Sequence, residues 1–142
     1  MKELDEQKLI IDDIRAQSSD AVAFKAGGVM TTTGRADLYI AVPGWRSLWL
    51  EVKVENWPKR GNVIMVNLTA LQRKFIRDLQ KAGKHAGWAV VVRHPATQNR
   101  HMFIGTHPDT TNITPNDPMS TIRLRRGGQW SLDFIMRLSE RE

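Results

Sequence analysis

Asp37, Glu51 and Lys53 are the residues of this 142-residue chain whose types and spacing could do chemistry. Asp37 stands near the start of one alternating apolar run, and Glu51 and Lys53 stand inside the next. Paired as strands, the two runs put two carboxylates and one amine on a single surface. Mg²⁺ and Mn²⁺ take oxygen ligands in octahedral geometry, usually one or two carboxylates plus water and a substrate phosphate. Asp37 and Glu51 supply the carboxylates, and the backbone carbonyl of Val52 supplies a third oxygen. An ion held there polarises a phosphoryl oxygen and activates an attacking water. Lys53 orients that water or stabilises the developing negative charge. The combination points to metal-dependent phosphodiester cleavage. The plainer alternative is a Glu-X-Lys on an exposed strand face with Asp37 as an ion-pair partner of Lys53, an interaction contributing only about 0–1 kcal/mol.

These residues need elements to position them. Residues 3 to 17 carry Leu4, Leu9, Ile10 and Ile14 between charges, the pattern of an amphipathic helix with an acidic side in water. Residues 21 to 25 read as a short strand before the Gly27-Gly28 break, and residues 29 to 33 as either its extension or a polar loop. Leu38, Ile40 and Val42 alternate with Asp37, Tyr39 and Ala41, and Pro43-Gly44 starts a turn. Leu48, Leu50, Val52 and Val54 then alternate with Trp49, Glu51 and Lys53. Pairing Val42 with Leu48 sets Tyr39 against Glu51 and Asp37 against Lys53, all on one side. A one-residue slip would move Asp37 to the other face.

Val63 to Val66 reads as an extended lead-in to the clearest helix. Thr69 is its N-cap, Leu71, Phe75, Ile76, Leu79 and Ala82 its apolar stripe, and Gly83 its stop. Arg73, Lys74, Arg77, Lys81 and Lys84 make its exposed side basic. Trp88 to Val92 is a continuous apolar run, expected as a central strand buried on both faces and parallel to the strand before the helix. Residues 101 to 104 read as a weaker strand and 106 to 120 as a long loop. Residues 122 to 130 read as a hairpin, and a closing helix follows from Ser131. The order predicts one α/β domain: an αβββαβ core over about residues 3–93 with a mixed sheet between helices, and a C-terminal extension over about 94–142.

A net charge of +6 and a pI near 10.1 favour an anionic partner, nucleic acid before membrane. The absence of cysteine excludes disulfides, cysteine-zinc sites and thiol catalysis. The four histidines lack zinc spacing, Gly83-Lys84 lacks the earlier glycine of a phosphate-binding loop, and no serine sits in a nucleophile elbow. Tyr39 on a half-buried strand reads as packing. The acidic N-terminus is unlike a signal peptide and no apolar run is long enough to cross a bilayer, so the expected setting is the cytoplasm of a bacterium or a virus-infected cell. Basic residues gather in the loop Trp57-Pro58-Lys59-Arg60, along the second helix, and at Arg123 to Arg126; the loop beside the candidate site is the preferred contact for DNA phosphates.

Five short segments together resemble the PD-(D/E)XK nuclease superfamily, within it the VRR-NUC and Holliday-junction-resolvase branches. The resemblance runs from about Glu6 to Val92. Gly34-Arg35-Ala36-Asp37-Leu38 resembles Gly-X-Pro-Asp-Leu, with Ala36 where the motif has proline. Glu51-Val52-Lys53 stands as the Glu-X-Lys element. Thr69-Ala70-Leu71-Gln72 resembles the Ser/Thr-X-X-Gln opening the next helix, where the glutamine supports the lysine and water; it is equally a capping box. Glu6 resembles the helix carboxylate placed near the metal, with Glu3, Asp12 and Asp13 as competitors. Phe24-Lys25-Ala26-Gly27-Gly28 resembles a basic residue before a small-residue turn. The resemblance implies a restriction-endonuclease-like fold and a Mg²⁺- or Mn²⁺-dependent endodeoxyribonuclease. It further implies a structure-specific enzyme on branched DNA such as Holliday junctions, working as a homodimer, with Lys25, Arg35, Lys59 and Arg60 meeting DNA. Two other readings stay open: a non-cleaving nucleic-acid-binding protein on a nuclease-like scaffold, and a restriction- or packaging-associated nuclease.

Overall fold

The computed structural model describes residues 3–26, 37–58, 63–96, 100–114 and 121–124. Helix α1 (Glu3–Gln17) leads into strands β1 (Val22–Lys25), β2 (Leu38–Ala41) and β3 (Leu48–Asn56). The short β4 (Ile64–Met65) precedes helix α2 (Ala70–Lys81), which is followed by β5 (His85–Arg93), β6 (Arg100–Gly105), β7 (Asn112–Ile113) and β8 (Thr121–Leu124). Six strands form one sheet in the order β1-β2-β3-β5-β6-β8. β3 and β5 are parallel and the other neighbours antiparallel. This is the mixed α/β arrangement the sequence order predicts, and β6 and β8 continue the same sheet.

Alternation decides which residues each face buries. Leu38 and Ile40 of β2, Leu48, Leu50 and Val52 of β3, and Ala89 and Val91 of β5 pack against Ile10, Ile11 and Ile14 of α1. Trp88, Val90 and Val92 of β5 and Phe103 of β6 pack on the opposite face with Ile76 of α2 and with Ile64, Val66 and Leu68. β5 is therefore buried on both sides, as its apolar run requires, and it extends in both directions beyond Trp88–Val92. In α1 Ile11 faces inward with Ile10 and Ile14, whereas Leu9 is exposed.

The β2–β3 register differs from the expected one by two residues. Ile40 pairs with Leu48, Tyr39 with Trp49 and Leu38 with Leu50. The physical cause is the turn. Trp45 N–H donates to Val42 O at 3.0 Å and Gly44 adopts φ +86°, the geometry of a type II turn with Pro43 and Gly44 at its centre. Val42 is thereby used by the turn instead of the ladder. A shift of two keeps every side chain on its face, so Tyr39 meets Trp49 rather than Glu51, and Asp37 comes level with Glu51 rather than Lys53.

Two further expectations change. Val63 to Val66 is no mere lead-in: β4 pairs antiparallel with β7, which lies inside the segment expected to be loop. Arg73, expected on the exposed basic side of α2, donates to the carbonyls of Pro108, Thr110 and Val66 at 2.7, 2.7 and 2.9 Å and fastens this small sheet to the helix. Arg77 likewise binds Asp109 at 2.6 Å. Residues 29–33, most of the hairpin expected over 122–130, and the helix expected from Ser131 lie outside the described residues. No described helix is long and apolar enough to cross a membrane.

Trp88 sets the tightest steric constraint. Its indole lies over its cross-strand partner Gly105, where an added Cβ would sit well inside van der Waals contact, and its Nε1 donates to His107 O at 3.0 Å. Gly105→Ala is therefore expected to lower unfolding free energy by about 1–3 kcal/mol through overpacking. Urea denaturation measures this, and an unchanged midpoint would contradict it.

Candidate active site

β3 sends Leu48, Leu50 and Val52 toward α1, so Trp49, Glu51 and Lys53 fall on the α2 face. The plainer alternative put Glu51 on an exposed strand face. It is only 2 % exposed. Burying a carboxylate costs several kcal/mol unless polar partners compensate, and two are in place. Gln72 Nε2 donates to Glu51 Oε1 at 2.7 Å. Lys53 Nζ lies 3.9 Å from the same oxygen.

Gln72 reaches Glu51 because of how α2 begins. Thr69 has extended backbone angles and its Oγ1 accepts from Gln72 N–H at 3.1 Å, while Gln72 Oε1 accepts from Thr69 N–H at 2.8 Å. This is a complete capping box. The amide oxygen serves the helix and the amide nitrogen serves the sheet, so both meanings of the Thr-X-X-Gln pattern hold together.

Asp37 directly precedes β2. Its backbone carbonyl accepts from Ala26 N–H at 2.8 Å, and its Oδ2 accepts from Val52 N–H at 2.9 Å. The side chain thus takes a ladder position just past the end of β2. A strand residue's N–H and C=O point to the same side, so the Val52 carbonyl faces the edge where Asp37 sits. Asp37 is not an ion-pair partner of Lys53 among the described interactions.

The structure therefore brings together Asp37, Glu51, Val52, Lys53 and Gln72. Glu6 is elsewhere in its bonding. It is 1 % exposed on the α1 face, and its carboxylate is held by Nε and Nη2 of Arg100 on β6, with both Nε contacts at 3.1 Å. Lys25 is exposed, and alternation places it with Ala23 on the α1 face, opposite Glu51. Arg35, Lys59 and Arg60 lie outside the described residues.

Sequence reasoning missed two neighbours of the site. An aromatic ladder runs Phe24–Tyr39–Trp49–Phe75 with ring centroids 5.3, 5.0 and 6.0 Å apart, walling the cluster on the β1 side. Alternation of the three strand aromatics could have shown it. Further along, beyond the end of β3, Trp57 meets His94 at a tilt and His101 edge-on, with ring centroids 4.6 and 5.0 Å apart, a contact no local pattern announces. On α2, the Asp78 carboxyl is held below its ordinary value, first by the hydrogen bond from Lys74 and then by Lys74, Lys81 and Arg77 charge.

Among the described residues no three His, Asp or Glu side chains gather closely enough to hold a metal alone. Two carboxylates and a carbonyl still match the donor set that Mg²⁺ takes when water and a substrate phosphate complete its shell. Hard oxygen donors with no thiolate or imidazole fit that class of ion.

No protein-family profile matches the chain, and no curated protein sequence is similar to it. Among solved structures it is similar to Hjc of Archaeoglobus fulgidus, a Holliday junction resolvase from an archaeal hyperthermophile. The two share 15% identity over 77% of this chain and 88% of that one, with a TM-score of 0.46.

Gln72→Glu separates the glutamine's two tasks. A glutamate keeps the capping box but loses the donor to Glu51 and sets a like charge beside it. Unfolding free energy should fall by about 1–3 kcal/mol at neutral pH, more than for Thr69→Ala, where loss of the cap alone costs about 1 kcal/mol. Equal losses in a denaturation series would mean that the contact with Glu51 contributes nothing.

Proposed function

We propose that this chain is a divalent-metal-dependent endodeoxyribonuclease that hydrolyses phosphodiester bonds in branched DNA. The supporting observation is the bracing of buried Glu51 by Lys53 and Gln72, with Asp37 level with it on the next strand. Asp37, Glu51 and the Val52 carbonyl would hold Mg²⁺ or Mn²⁺, which when bound supplies Lewis-acid stabilisation of the phosphate and an activated water. Lys53 places its ammonium where negative charge develops on the phosphoryl oxygens. Gln72 fixes the Glu51 carboxylate and so the geometry of the pair. The short motifs around Asp37, Glu51 and Thr69, with their resemblance to PD-(D/E)XK nucleases, support the same reading.

Arg35, Lys59 and Arg60, flanking the cluster in sequence, and Lys25 at the end of β1 would meet backbone phosphates. That contact reads shape and charge rather than base sequence. Two copies acting as a homodimer would present two such clusters and cut two strands. Glu6 has no part in this scheme because Arg100 already neutralises it. That commitment also favours the second reading, a DNA-binding protein that does not cleave, since it leaves two carboxylates where a third was expected.

Incubating four-way, nicked and linear duplex DNA with the protein, with and without Mg²⁺ or Mn²⁺, tests the proposal. Cleavage should require metal and favour the branched substrate. Lys53→Ala should slow it by about 10²–10³-fold, and Glu51→Ala should abolish it. Asp37→Asn is the sharper variant: its carbonyl can still accept from Val52 N–H, so the fold should persist while metal binding weakens in calorimetry. Full activity in Glu51→Ala would sink the nuclease reading. Tight DNA binding with no metal heat and no cleavage would establish the alternative.

A further inference from the structure

The opposite end of β3 and β5 carries a different chemistry. Arg46, Ser47, Gly83, Lys84 and His85 line an open basin of about 380 Å³. Three of its five lining residues are basic and none is acidic. It sits where the two parallel strands begin, since Leu48 and His85 are cross-strand partners. Along β3 it is four residues from Glu51, about 13 Å at strand rise. It is therefore separate from the Asp37–Glu51 cluster.

We propose that this basin binds a phosphate group. Arg46 Nη1 lies 3.2 Å from His85 Nε2. A guanidinium only donates, so in this contact the imidazole nitrogen is the acceptor. Among the described residues neither Arg46 nor His85 forms an ion pair with a carboxylate. A phosphate between them would take donors from both, together with the Ser47 hydroxyl and the Lys84 ammonium. Charge-assisted bonds of this kind are the strong ones, and arginine fits phosphate with two parallel donors. The C-terminal end of α2 reaches the same place and by itself disfavours an anion. Its last turn is closed by a Schellman arrangement, however, with Leu79 O taken by Lys84 N–H at 2.9 Å and Gln80 O by Gly83 N–H at 3.0 Å. Gly83 supports that turn at φ +79°. Lys81 and Lys84 add positive charge over the helix end.

The phosphate can belong to a nucleic-acid backbone or to a small phosphorylated molecule, and the site's chemistry is the same for both. The inference does not rest on cleavage, and its test is run without divalent metal. The imidazole resonances of His85 are followed by NMR while inorganic phosphate, and separately a short DNA duplex, is titrated into the full chain. Phosphate should move them saturably. The Arg46→Gln, Lys84→Gln double variant should bind phosphate about ten-fold more weakly. If the duplex also moves His85, the double variant should lower the slope of log affinity against log salt by about one, which assigns the site to nucleic acid. Movement with phosphate alone assigns it to a small phosphorylated ligand. Resonances that respond to neither, or a double variant that binds both like the parent, would overturn the proposal.

Discussion

One carboxamide couples the two halves of this structure. Gln72 spends its oxygen on the start of α2 and its nitrogen on Glu51 in β3. The side chain that closes the capping box thus also brings a donor over the sheet, where it bonds the buried Glu51. An amide is suited to both because its two ends differ in kind: one accepts, the other donates. A glutamate or lysine at position 72 could do only one of these. The burial of Glu51 is in this sense a consequence of helix capping.

Burying carboxylates in a basic protein is selective about faces. Glu6 and Glu51 are both almost fully buried, and each has a cation. The arrangements differ. Arg100 engages both oxygens of Glu6, which locks α1 to β6 across 94 residues of sequence and makes that pair a structural fastening. Removing one partner of such a pair leaves an uncompensated charge. Lys53 approaches one oxygen of Glu51 from along the same strand at a longer distance. The Lys53 contact is thus looser than the two-oxygen grip of Arg100 on Glu6.

Much of this was legible in the residues. Period-two alternation over 37–42 and 48–54 placed the strands and their faces, and Thr69-X-X-Gln72 marked the helix start. The two-residue register shift was not legible, because a pattern of period two is unchanged by a shift of two; the Pro43-Gly44 turn decided it by removing Val42 from the ladder. Arg73 read as surface charge because the carbonyls it binds, on Pro108 and Thr110, are far away in sequence and carry no pattern. β4 and β7, two residues each, are defined only by their pairing and are too short to show a period. The Glu6–Arg100 pair is equally non-local, so the ion pair that holds this helix carboxylate carried no signal in the sequence.

Asp37 shows why the cluster lies where β2 begins. Inside a sheet, Val52 N–H and C=O would both be taken by a neighbouring strand. The β2–β3 register carried one residue past Leu38 sets Asp37 level with Glu51, and the Asp37 side chain supplies the acceptor for Val52 N–H. The carbonyl on the same edge then faces the carboxylate that ended the ladder, with Glu51 adjacent in the chain and Gln72 above it. A residue at a strand end thus contributes what one inside the ladder cannot: a carboxylate anchored by its own hydrogen bond to the next strand's backbone.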